Sequence, residues 1–167
     1  MNLYILRHGI AVEPGSPGYE EDADRPLTPE GECKLRRITE AMEALDLSFD
    51  LILSSPFLRA RQTAEIVAEA LKARKRLDYS DSLKPGGSSR KLVEHLDHLR
   101  PRPDDVLLVG HEPYLSELIS LLVSGKEGFG VVLKKGGLCK LAADSLQPGR
   151  CAMLEWLLTP KQVTLMA

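Results

Sequence analysis

The sequence has no surplus of positive charge. Its 22 Lys and Arg stand against 24 Asp and Glu, for a net charge of −2 at pH 7. Broad binding to nucleic acid or to an anionic membrane surface is therefore not expected, since both need a basic excess, although a local basic pocket is compatible with this balance. Cysteine is scarce. Cys33, Cys139 and Cys151 are an odd number with no paired spacing, so they read as reduced thiols rather than a disulfide framework. Long apolar runs are missing too. The apolar start is cut short by Arg7 and His8 with no basic segment before it, which does not suit a signal peptide. The stretch 115–123 carries Ser116, Glu117 and Ser120 and is too short to span a bilayer. These absences predict a cytoplasmic protein. Two phosphate-handling motifs are also absent. There is no Gly-x4-Gly-Lys-Ser/Thr loop, and the Cys-x5-Arg of cysteine phosphatases fails, Thr39 standing sixth after Cys33.

What is present is an ordinary globular composition: 167 residues, 43% hydrophobic and 28% charged. That favours one domain over 1–167 with a sizeable core, expected to be a monomer. Strand and helix patterns alternate. Residues 2–6 read as a buried central strand ending at Arg7-His8-Gly9. A loop rich in Gly, Pro and acid follows over 13–24. Thr28-Pro29-Glu30 then starts a helix running to about Leu45, with Thr28 as N-cap and Pro29 at the first position. A second strand over 50–53 leads through Ser54-Ser55-Pro56 into a helix ending near Ala73. Further strands are expected at 77–79 and 106–109, and helices at 90–99 and 114–123. After Gly130 the pattern suggests short strands at 131–133, 138–143 and 151–157. The fold class is therefore α/β: a three-layer α/β/α sandwich around a mostly parallel sheet.

In such a fold, sites lie beyond the carboxyl ends of strands. Arg7-His8, Arg59 and His111 all fall there. A phosphoryl group spreads negative charge over its oxygens, so its transfer depends on positioning and charge neutralisation. Arginine suits this with a planar, always cationic fork. A histidine can be the nucleophile if one ring nitrogen is deprotonated and the other donates to an acceptor that fixes the tautomer. A backbone carbonyl near Gly9 is the expected acceptor, and flanking cations are expected to depress the pKa. Ser54, Ser55 and the amides of the following helix are further possible donors. His95 and His98 share a helix and would suggest a metal, but no third ligand is evident, so they read as surface residues. Lys134-Lys135-Gly136-Gly137 reads as a turn between strands.

Three motifs in order, Leu6-Arg7-His8-Gly9, Ser54-Ser55-Pro56-Phe57-Leu58-Arg59-Ala60-Arg61-Gln62-Thr63-Ala64 and Val109-Gly110-His111-Glu112-Pro113, resemble those of the histidine phosphatase superfamily, with the phosphoglycerate mutase-like fold. The short length and Arg25-Pro26-Leu27-Thr28 are similar to the SixA-type branch of protein phosphohistidine phosphatases. The resemblance implies that His8 is the phosphorylated nucleophile, that Arg7 and Arg59 are phosphate ligands and that His111 is the second pocket histidine. Arg25 is implied as a further substrate-binding residue, against a salt bridge to the acidic loop. It implies no metal and no cofactor.

One departure bears on substrate. Many members carry a glutamate general acid after the second helix, but no glutamate lies between Glu69 and Glu94. Asp81 is the available substitute. An alkoxide leaving from a phosphate ester needs a proton from a well-placed acid. A phosphorylated imidazole, protonated on its far nitrogen, leaves as neutral imidazole without one. The expectation is therefore hydrolysis of phosphohistidine on a protein, such as the histidine-containing phosphotransfer domain of a signalling relay. The alternatives are a phosphomonoesterase on a small metabolite, with Asp81 as acid, and a non-catalytic phosphate-binding module. The acidic loop reads as a solvated connector, or as a rim that repels small free anions.

Overall fold

The computed structural model describes residues 1–126 and 128–166. A single six-stranded sheet organises them. Its strands are β1 (Asn2–Arg7), β2 (Leu51–Ser54), β3 (Leu77–Tyr79), β4 (Asp105–Gly110), β5 (Leu138–Ala142) and β6 (Met153–Leu158). Their order across the sheet is β3-β2-β4-β1-β5-β6. The β3-β2, β2-β4 and β4-β1 pairs are parallel, whereas β1-β5 and β5-β6 are antiparallel. The helices between them are α1 (Pro29–Ala44), α2 (Leu58–Ala70), α3 (Ser89–His98), α4 (Tyr114–Ser124) and a short α5 (Pro160–Val163).

β1 shows why its sequence is an unbroken apolar run. Alternate side chains enter opposite cores, and both faces are covered. Leu3 and Ile5 pack in the cluster that holds Leu92 and Leu96 of α3 and Leu115 and Leu118 of α4. Tyr4 and Leu6 pack on the other face with Leu35 and Ile38 of α1 and Ala64 and Val67 of α2. The expected three-layer sandwich is what forms.

The start of α1 is tied to the segment that carries the nucleophile candidate. Thr28 Oγ1 accepts from Gly31 N at 3.0 Å, the N-cap bond whose loss costs about 1 kcal/mol. Thr28 N also donates to Ile10 O at 2.9 Å. A Cβ on Gly31 would stand 2.1 Å from Ile10 O, so only glycine lets the helix approach so closely. Leu35, fully buried one turn further on, presses its Cδ1 to 2.7 Å from where a Gly9 Cβ would be.

One expected strand is missing. Residues 131–133 join no ladder, although the alternation is real: Leu133 is buried and Val132 is 71% exposed. The segment's backbone serves the site instead, Leu133 O accepting from Arg7 Nη1 at 3.0 Å. The turn at 134–137 therefore leads from this segment into β5 rather than joining two strands.

Candidate active site

β2, β4 and β1 lie side by side, run parallel and end level. Ser54 pairs with Val109, and Arg7 with Gly110. Whatever follows each strand therefore emerges on one rim. His8 follows β1, Ser55 and Arg59 follow β2, and His111 follows β4. This brings together residues that stand some fifty positions apart in the chain.

His8 is buried, with 6% of its surface exposed. Its Nδ1 lies 2.7 Å from Gly9 O. A carbonyl only accepts, so Nδ1 carries the proton and Nε2 keeps its lone pair. Arg59 Nε approaches that lone pair at 3.4 Å. The His111 ring stands 5.1 Å from the His8 ring, centroid to centroid, and its Nε2 lies 2.8 Å from Ser55 Oγ. Among the described residues, Arg7 Nε and His111 Nδ1 are buried polar atoms with no hydrogen-bond partner. Leaving such groups unsatisfied costs roughly 1–3 kcal/mol each, so a buried pair of them beside a histidine calls for an explanation.

Arg59, 3% exposed, is held from the acidic loop. Its Nη1 donates to Asp22 O at 2.6 Å and its Nη2 to Asp22 Oδ2 at 2.9 Å. Arg25 donates to the same carboxylate from Nε and Nη2, and to Val12 O from Nη1. Arg25 therefore makes the salt bridge to the acidic loop, and it reaches Arg59 only through Asp22. Asp81 is 80% exposed and ion-paired with Lys84 at 2.7 Å. His95 and His98 are exposed on α3, and no group of three or more possible metal ligands stands together among the described residues.

Residues 3–84 match the family model of the histidine phosphatase superfamily, branch 1. An uncharacterized protein of Picosynechococcus is 40% identical over 146 residues, 87% of each chain. The chain belongs to the histidine phosphatase superfamily. Phosphohistidine phosphatase SixA of Escherichia coli is 29% identical over 127 residues, 75% of this chain and 76% of that one. A solved structure of the protein histidine phosphatase SixA complexed with tungstate has a TM-score of 0.83 at 25% identity, covering 96% of this chain and 98% of that one. Membership makes this protein an enzyme, a metal-independent phosphatase.

The electrostatics of the phosphatase pocket follow from burial. Desolvation lowers the His8 pKa to about 3, against the raising effect of the Gly9 carbonyl, and nearby His111, Arg59 and Arg7 add to the depression. Flanking cations do act in the expected direction, but burial is the larger cause. His111 is likewise lowered to about 3, by burial first and then by Arg59. Both rings are neutral at physiological pH. Burial alone would raise Asp22, but hydrogen bonds from Arg25 and Arg59 outweigh it and hold its carboxyl below the usual range. Burial also pulls Arg7 and Arg59 below the ordinary guanidinium value, and both remain cations.

Asp22 and Thr63 were given no supporting role from the sequence, and Ser55 was given a different one. Asp22 looked like one more acid in a solvated loop. Ser55 was expected to meet the phosphate, yet it bonds His111 and also accepts from Phe57 N at 3.3 Å. Thr63 accepts from Gly9 N at 3.1 Å while donating to Arg59 O at 2.7 Å, so one hydroxyl links the His8-Gly9 segment to α2. The only sequence signal for Thr63 was its place one turn after Arg59.

Proposed function

We propose that this phosphatase, acting as one domain, hydrolyses phosphohistidine on a partner protein through a phosphorylated His8. The observation that carries this reading is the meeting of the His8 Nε2 lone pair, approached by Arg59 Nε at 3.4 Å, with two buried donors that lack partners among the described residues, Arg7 Nε and His111 Nδ1. A phosphoryl group placed against His8 Nε2 would offer its oxygens to both donors. Ser55, by donating to His111 Nε2, favours the tautomer that puts the proton on Nδ1, aimed at those oxygens. Arg59 would complete the clamp once its fork is released from Asp22.

The chemistry then balances in two displacements. His8 Nε2 attacks phosphorus, the substrate's P–N bond breaks, and the departing imidazole, protonated on its far nitrogen, leaves neutral. Water next attacks the phosphorylated His8. The P–N bond to His8 breaks, inorganic phosphate departs, and the water's proton is lost to solvent or to phosphate. His8 Nδ1 keeps its proton on the Gly9 carbonyl throughout.

The choice of a phosphorylated nitrogen rests on acids. An ester would need a protonated carboxyl beside the leaving oxygen. Asp81 is solvent-exposed and occupied by Lys84, and Asp22 is held ionised by two arginines. Neither suits that task at neutral pH. The test is a time course on a phosphohistidine protein and on a panel of phosphate esters, with wild type, His8→Ala and Asp81→Asn. The reading expects turnover of the phosphoprotein, an acid-labile phosphoenzyme, inhibition by tungstate and no effect of Asp81→Asn. Full activity in His8→Ala, or fast ester turnover that depends on Asp81, would overturn it.

A further inference from the structure

We propose that the cleft adjoining Arg7 is a docking groove for an acidic, amphipathic segment of the phosphorylated protein. This rests on the protein-phosphohistidine reading above and adds the recognition chemistry. The cleft has a volume of about 760 Å³ and lies between α1, the 134–136 turn and α5. Its floor is apolar: the accessible surface is the half-buried Ile10 and Pro160, over Leu35 and Ile38, which are almost wholly buried. Its rim is cationic, with Lys34 and Arg37 from α1, Lys134 and Lys135 from the turn, and Lys161 from α5. Among the described residues no acidic side chain lines it, although the whole chain carries a net −2.

Local pairing does not quench that charge. Lys34 meets Glu30 at 2.6 Å and Lys135 meets Glu13 at 3.5 Å, but both are exposed pairs of a kind worth at most about 1 kcal/mol and readily exchanged. Arg37, Lys134 and Lys161 make no ion pair among the described residues. The groove also borders the segment that carries His8. Arg7 and Gly9 line it, and Gly136 N donates to Arg7 O at 3.0 Å and to His8 O at 3.2 Å. A segment lying in the groove would therefore sit next to a phosphoryl group on His8.

The lining selects among anions. No aromatic side chain is there to stack a nucleobase. A free phosphate would leave the apolar floor uncovered. A helix or strand with apolar residues on one face and carboxylates on its flanks matches floor and rim together, as in helix-in-groove recognition.

The probe is a fluorescein-labelled, unphosphorylated helical peptide with leucines one turn apart and glutamates on either side. It should bind wild type, and bind about tenfold or more weakly to Lys34→Glu/Arg37→Glu and at raised salt. The neutral Arg37→Gln/Lys161→Gln variant, which introduces no new repulsion with Glu30, should weaken binding in the same direction. In turnover, the first variant should raise KM for an acidic phosphotransfer domain carrying phosphohistidine about tenfold, with kcat and the turnover of free phosphohistidine within about twofold. No peptide binding by wild type would overturn the groove, as would binding indifferent to both variants. So would displacement of the peptide by low concentrations of inorganic phosphate or ATP, or loss of free phosphohistidine turnover in the variants. Because the peptide carries no phosphate, peptide binding without phosphohistidine turnover would sink the functional reading and leave the groove intact.

Discussion

The pocket around His8 has two unlike flanks. On one side Arg59 is already occupied: the Asp22 carboxylate and carbonyl take both terminal nitrogens, and Arg25 shares the same carboxylate. On the other side Arg7 spends one nitrogen on Leu133 O, keeps Nε unpartnered among the described residues, and borders a cleft rimmed by lysine and arginine. The two arginines look equivalent in sequence, each near a strand end. The structure makes one a guanidinium guarded by an anion and the other a guanidinium open to one. The lesson is that arginine count does not describe an anion site; what each fork is already bonded to does.

The largest expected effect removes what both flanks serve. His8→Ala should lower phosphohistidine turnover by roughly a thousandfold or more, the scale seen when a covalent nucleophile is lost, measured alongside the disappearance of the acid-labile phosphoenzyme. Next, the flanks can be set against each other. Arg59→Ala and Arg7→Ala should each cost about 100-fold or more in kcat/KM. Arg59→Ala should cost more, because it leaves Asp22 facing the incoming phosphoryl group without that partner. Equal losses would mean that the guard is electrostatically irrelevant.

Asp22→Asn breaks the asymmetry itself. Freed from its carboxylate, Arg59 should raise kcat/KM for free phosphohistidine severalfold, and tungstate should inhibit at lower concentration. Since Asp22 is half exposed but Arg59 is almost wholly buried, the folded state should lose roughly 1–3 kcal/mol, read by urea denaturation. Extending the neutralisation to Glu20 and Glu21, which are exposed and make no ion pair among the described residues, should add little. No change on small anions in any of these variants would dispose of a repelling rim.

The smallest expected rate effect comes from pH. With the His8 pKa near 3, His8 stays neutral as pH falls through 6.5, so its protonation should cost nothing in kcat/KM between roughly pH 7 and 5, while protonation of the substrate's own phosphoimidazole favours its departure. A loss of rate centred near 6.5 would contradict the buried neutral ring. Stability should behave differently. Unfolded histidine takes a proton near 6.5, whereas folded His8 and His111 resist until about 3. Their contribution is therefore complete above about 6.5 and is lost as pH falls towards 3, so the denaturation midpoint should drop across that window while the rate holds.

The parts of this molecule legible in the sequence are those set by local chemistry. Thr28-Pro29 announces the start of α1, and apolar runs at 2–6 and 106–109 announce strands buried on both faces. The placing of Arg7, His8, Arg59 and His111 at strand ends then follows from the architecture. The Gly9 carbonyl as tautomer anchor was legible because it lies one peptide away. What was illegible depends on distant backbone. Nothing in Asp22 itself tells it from Glu20 or Glu21 until the loop folds over Arg59. Val131 and Leu133 alternate like a strand, but whether a ladder partner exists is decided by the rest of the sheet. The cleft draws α1, α5 and a turn together from three regions of the chain, and no local pattern marks it.

β1 lies between β4 and β5, so Asn2 is paired with Asp105 on one edge and Ala142 on the other. Both strands that flank the one leading to His8 lie far along the chain from it. Pairings this distant in sequence form late and slowly. Until the sheet closes, His8 is a solvated histidine with no arginine fork around it. The pocket around this ring is therefore a product of the whole fold and not of its own segment.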